Sequence, residues 1–104
     1  MRRYDNNLGR ILIDEAAAQR DIQRARNAVT SLESANRRLQ RVITESREDF
    51  VGQTGDAFRA AVTENIRINT DEARRINDII RQIEAMIQRY RNADTQLAER
   101  FRKG

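Results

Sequence analysis

Tyr90 and Asp94, in the stretch YRNAD, are the pair whose types and spacing offer most to a receptor. Four residues apart on a helix, a phenol and a carboxylate stand one turn apart on the same side and can be read together. The carboxylate neighbours Glu48-Asp49 and Asp71-Glu72 have the residue types of an acid–base pair, but adjacent acids on a charged helix are ordinarily solvated. Histidine and cysteine are absent, so Cys–His and Ser–His nucleophile pairs are impossible. Imidazole or thiolate metal sites are excluded on the same count, and the Glu-x-x-His pair of a di-iron bundle has no histidine to use. GQTG, residues 52–55, lacks the lysine of a phosphate-binding loop. The expectation is a protein without catalytic residues, metal, cofactor or small-molecule substrate, acting by docking.

Charge leaves one rival. Lys and Arg number 20 against 16 Asp and Glu, a formal net charge of +4. Residues 1–47 hold ten basic and six acidic residues, whereas the signs balance in residues 48–104. Arg37, Arg38, Arg41 and Arg47 are the densest basic group and suit phosphate contacts of a salt-dependent, weakly selective kind. Interleaved acids and the lack of stacking aromatics there argue for a solvated helix surface. A basic helical-bundle protein binding nucleic acid is therefore the alternative, with a purely structural coiled-coil interaction module beside it. The apolar run Ile11-Leu12-Ile13 is ended by Asp14 and Glu15, so neither a cleavable signal peptide nor a membrane span is expected.

Two long helices must position these residues. The chain has no proline, and its four glycines are Gly9, Gly52, Gly55 and Gly104. Ala18, Ile22, Ala25, Val29, Leu32, Asn36, Leu39 and Ile43 follow steps of four and three, a mostly apolar seam along one helix face. Leu8 and Ile11 extend its phase, so helix one is expected from about 7 to 47, with Asp5 or Asn6 as N-cap. Beyond a turn at about 48–55, helix two is expected from about 56 to 102. It carries one stripe through Phe58, Ala61, Asn65, Ile68, Glu72, Ile76, Ile79, Ile83, Met86, Tyr90, Ala93 and Leu97. A second runs alongside at Ile66, Ala73, Ile80 and Ile87.

Each rod would be roughly 60 Å long, and the two fold back as an antiparallel helix–turn–helix hairpin, a single all-α domain over 1–104. A lone hairpin covers one stripe of helix two only. Ile66, Ile80 and Ile87 are the expected partner-facing residues, and dimerisation into a four-helix bundle is the expected way of covering them. Asn36, Asn65 and Glu72 interrupt the seams. They read as gaps at the stripe edge in preference to register-fixing polar residues.

The turn carries a resemblance. In EDFVGQTGDAF, Phe50 and Phe58 flank the reversal, and Gly52 or Gly55 supplies angles that side chains resist or allows close helix approach. Phe50-Val51-Gly52 stands where the small helical-hairpin (WxG, ESAT-like) proteins of type VII secretion carry W-x-G, and Phe58 follows eight residues after Phe50. The length and the central turn are similar to that family across the whole chain, with Phe in place of Trp and Thr54-Gly55 as the small pair. The resemblance extends to the small helical partners of LxG toxins. It implies that Phe50, Gly52 and Phe58 shape the turn and that Tyr90 and Asp94 form a Y-x-x-x-D export signal. It further implies a substrate or adaptor assembled in the cytoplasm and secreted by the non-classical type VII route. Its partners would be itself, a second small hairpin protein, the helical N-terminal region of a larger toxin, and the secretion ATPase.

Overall fold

A computed structural model describes residues 14–103, which form two helices, α1 (Glu15–Asp49) and α2 (Gly52–Lys103). They pack against each other as an antiparallel hairpin with no strand among the described residues. The molecule extends 78 × 21 × 18 Å, a length that 52 residues of α2 account for at the helical rise.

α1 begins later than its apolar phase suggests. Asp14 is extended, with φ −82° and ψ 96°, and its Oδ1 accepts from the Ala17 amide at 3.1 Å. A short carboxylate there satisfies an amide that has no intrahelical partner, and Glu15 adds a negative charge to the first turn. The expected start near residue 7 is thus corrected to Glu15. The alternative caps Asp5 and Asn6, and the seam residues Leu8 and Ile11, lie outside the described residues.

The seam of α1 is the one its spacing indicates. Ile22, Val29 and Ile43 are buried, and Ala18, Ala25, Leu32, Asn36 and Leu39 are half-buried between them. On α2 the buried hydrophobic residues are Val62, Ala73, Ile80 and Ile87, and Gly55 is buried at the turn. Ile22, Ile80 and Ile87 make one core cluster, with Ala18, Ala25, Ile76 and Ile83 packed around it. Alanines beside isoleucines let two helices approach closely while the branched side chains fill the space between them.

The connection is two residues, Phe50 and Val51, so the helices run deeper into the turn than the eight residues expected. Phe50 ends α1 with its amide donating to the Ser46 carbonyl at 2.8 Å. Gly52 then takes φ +84°, the left-handed region that side chains disfavour, and the chain reverses. At the other end α2 outruns α1. The Arg91 guanidinium meets Glu15, and α2 continues to Lys103 with every residue from 91 to 102 exposed.

Candidate docking surface

The turn end is closed by more than its aromatic pair. Phe50 and Phe58 do meet, ring centroids 5.3 Å apart and tilted by 49°. Gly52 provides the positive φ, and Gly55 provides the close approach: a β-carbon there would lie 2.1 Å from the Phe50 carbonyl oxygen. Arg59, whose side chain is 17% exposed, fastens the reversal. It donates to the Phe50 carbonyl at 2.7 Å, the Ser46 carbonyl at 3.3 Å and the Ser46 hydroxyl at 3.4 Å, while Asp56 accepts from it at 2.9 Å. A guanidinium with several donors thereby gives the Phe50 carbonyl a partner beyond the end of α1 and the Ser46 carbonyl a second one besides the Phe50 amide. Sequence reasoning passed over Arg59. Its only local signal is Asp56 three residues earlier, the spacing of an ordinary surface pair.

Along the body, the two flanks of the seam differ. One flank is made by residues that follow a seam residue: Arg26 after Ala25 on α1, Glu84 after Ile83 on α2. These two form an ion pair across the helices, with half-exposed side chains. Because the helices are antiparallel, the flank that carries Arg26 on α1 faces the flank that carries Glu84 on α2. Residues that precede the inward positions therefore share the opposite flank: Ala28 and Val42 on α1, and on α2 Phe58 before the inward Arg59, with Ile79 and Met86 before Ile80 and Ile87. Of these, Val42 (38%), Phe58 (36%), Ile79 (48%) and Met86 (38%) are exposed. Ile68, 49% exposed, borders the same flank. Nearly every large apolar side chain that is exposed along the paired part of the helices is gathered on this one side.

The partner-facing assignment is therefore corrected. Ile80 and Ile87 are 2% and 3% exposed inside the hairpin, and Ile66 is half-buried beside Asn36. Packing against α1 uses this stripe, and it leaves Phe58, Ile68, Ile79 and Met86 outward. The polar interruptions separate too. Asn65 is exposed and Glu72 half-buried on the outer side, whereas Asn36 reaches across the seam. Its amide donates to the Thr70 hydroxyl at 3.2 Å and to the Ile66 carbonyl at 3.4 Å, and its carbonyl oxygen accepts from the Asn69 amide at 3.0 Å. Asn36 is thus a cross-helix contact, and the edge-gap reading of it is corrected.

Charges bordering the apolar flank are of mixed sign and largely satisfied locally. Arg24 lies 3.8 Å from Asp21, and Arg75 is 2.8 Å from Glu72. Elsewhere Arg67 bridges Glu64 and Asp71, and its guanidinium holds the Glu64 carboxyl below the usual carboxylate range. Within the basic group of helix one, Arg37 and Arg41 line a shallow depression of about 360 Å³ with Gln40, Thr44 and Glu45, of which Arg37, Gln40 and Thr44 follow seam residues as Arg26 does.

Tyr90 and Asp94 stand one turn apart on α2, where it passes the start of α1. Tyr90 is half-buried and shares a shallow depression of about 240 Å³ with Met86, Arg89 and Ala93, while Asp94 is exposed. Between them in sequence, Arg91 donates to Glu15 at 2.8 Å from Nη2 and 3.1 Å from Nε. The two-fork contact holds the Glu15 carboxyl below its usual range. No helix among the described residues is long and apolar enough to cross a membrane. The chain matches no family model, no curated protein and no solved structure.

Proposed function

We propose that this chain works by helical docking as a type VII secretion substrate or small adaptor, and that a second copy covers its apolar flank to make a four-helix bundle. One observation carries the docking reading: the exposed apolar side chains Val42, Phe58, Ile68, Ile79 and Met86 lie together on one side of the hairpin. Contiguous apolar surface of this kind marks an interaction site. A second copy suits it because the bordering charges pair among themselves, so two such faces bring no block of like charge together.

Support for the secretion reading comes from the hairpin plan, the Phe50-Val51-Gly52 turn and the far end of α2, where Tyr90 is half-buried and Asp94 exposed. A receptor approaching that end meets the phenol edge and the carboxylate on one helix side. In that setting a second small hairpin protein, or the helical N-terminal region of a larger toxin, docks on the same flank. The secretion ATPase reads the α2 end.

Two experiments separate docking from export. Sedimentation of the double variant Ile79→Glu, Met86→Glu is expected to show a monomer where the unaltered chain is a dimer, with unchanged helicity. A monomeric unaltered chain at all concentrations up to about 1 mM (a weak-complex limit) rejects self-docking. In a host with a type VII system, Tyr90→Ala and Asp94→Ala are each expected to abolish export while leaving the oligomer intact. Normal export of both variants rejects the signal.

A further inference from the structure

α2 presents two apolar stripes that lie one residue's step apart around its axis. One contains Ile66, Ala73, Ile80 and Ile87 and is closed against α1; the other contains Phe58, Ile79 and Met86 and is open. Ile76 and Ile83 serve either stripe, since each lies next to both. Turning α2 by about 100°, one residue's step around the helix, would exchange Ile80 and Ile87 for Ile79 and Met86 in the seam. Ile79 and Met86 are close to Ile80 and Ile87 in volume, and swaps of similar volume cost little in a core. Burial alone therefore discriminates poorly between the two packings along this part of α2.

Hydrogen bonds discriminate far better. Asn36 faces α2 at the level where its amide donates to Thr70 and to the Ile66 carbonyl and its oxygen accepts from Asn69. Thr70 lies on the flank opposite to Ile79 and Met86, since it follows a seam residue as Glu84 does. The rotation that brings Ile79 inward carries Thr70 and the Ile66 carbonyl away from Asn36. The half-buried amide would then lose these three bonds, while Asn65 and Glu72, which precede Ile66 and Ala73, would turn toward the seam with Ile79 and carry a carboxylate out of water. The Thr70 hydroxyl also donates to the Ile66 carbonyl at 2.9 Å, a bond within α2 that fixes the hydroxyl's direction and turns with the helix. The cross-helix ion pairs Arg26–Glu84 and Glu15–Arg91 favour the same rotation, but their half-exposed side chains make them the weaker constraint.

We propose that the Asn36–Asn69–Thr70 layer selects which stripe of α2 closes the hairpin and which remains open. The consequence for a partner, that the layer chooses the docking stripe, rests on the docking function proposed above. The selection itself is intramolecular and stands apart from it. A polar layer in a coiled seam trades stability for a single arrangement, and here the arrangement it fixes is a rotation.

The chain has no cysteine, so single thiols can report on each stripe without interference. Ile79→Cys and Ile80→Cys would be made separately, in the unaltered chain and in the background Asn36→Leu, Asn69→Leu, and labelled with a maleimide at low protein concentration. In the unaltered chain the thiol at position 79 is expected to react about tenfold faster than that at position 80, because only the latter must wait for opening. In the double-leucine background the two rates are expected to converge to within about threefold, as both packings become populated. Asn69→Leu alone leaves Asn36 its bonds to Thr70 and Ile66 and is expected to keep most of the difference. An undiminished tenfold ratio in a folded double-leucine variant overturns the proposal. So does a double variant that loses helicity, since the layer would then be needed for folding and not for selection. Sedimentation of the same proteins reads docking separately: selection with a monomeric chain would defeat the docking function and leave the layer's role intact.

Discussion

The two flanks of the seam are built from the same helices and have opposite surfaces. On one, Arg26 meets Glu84 and Arg91 meets Glu15, and charge spans the groove between α1 and α2. On the other, Val42, Phe58, Ile79 and Met86 stand in water with no charge bridging them. Side-chain burial is nearly as easy to arrange on one flank as on the other, so the asymmetry bears on what the hairpin meets. A flank laced by ion pairs is finished by its own residues. A flank of exposed isoleucine, methionine and phenylalanine is the surface on which the proposed docking would act.

The most severe break of this comparison moves a seam residue. Ile80→Ala is expected to cost about 2–5 kcal/mol in urea denaturation, whereas Ile79→Ala in the monomer falls within about 1 kcal/mol. Equal losses at the two neighbours would mean that α2 does not keep one stripe inside. At the turn, Gly55→Ala places a β-carbon against the Phe50 carbonyl, and about 1–3 kcal/mol is expected from forced backbone movement. Arg59→Met keeps the packing stem but removes the bonds to Phe50 and Ser46. Amide hydrogen exchange is expected to rise at the end of α1 and the start of α2, with the Ile22–Ile80 region unchanged.

Smaller effects sharpen the charged flank. Glu84→Gln is expected to lower stability by less than about 1 kcal/mol, a loss that vanishes in high salt. The Glu15–Arg91 pair gives the smallest and most specific signature. Arg91 depresses the Glu15 carboxyl in the folded state, so its contribution is present above the ordinary carboxylate range and lost as pH falls through the lowered folded value. The stability of Arg91→Gln should therefore lie below that of the unaltered chain by a constant amount between pH 6 and 8, where the carboxylate is ionised in both states, and the gap should close as pH falls through the acid range. A gap that persists undiminished into acid would show that the pair is not what Arg91 contributes.

Much of this architecture is legible in the residues. Steps of four and three from Ala18 to Ile43 place α1's seam correctly, because α1 has one strong apolar face and no competing one. Phe50, Gly52 and Phe58 mark the reversal, since a glycine between aromatics in an otherwise unbroken helical pattern has few other uses. α2 is different. Its two stripes contain side chains of similar size, and periodicity ranks the stripe through Phe58 and Ile79 ahead of the one that α1 covers. The arbiter is Asn36, thirty or more residues away from Thr70 and Asn69, whose role cannot be seen along one helix. Arg59 was hidden for the same reason: its partners Ser46 and Phe50 belong to the other side of the turn.

Composition and spacing alone settled that this chain is helical, that it doubles back near Gly52, and which face of α1 turns inward. Those features depend on local periodicity and on backbone angles, which each segment carries within itself. Tertiary structure decided the rotation of α2, the late start of α1 at Asp14 and the fastening of the turn by Arg59. Each of these depends on polar groups finding partners at the right place and level, and such partners are specified by geometry in three dimensions.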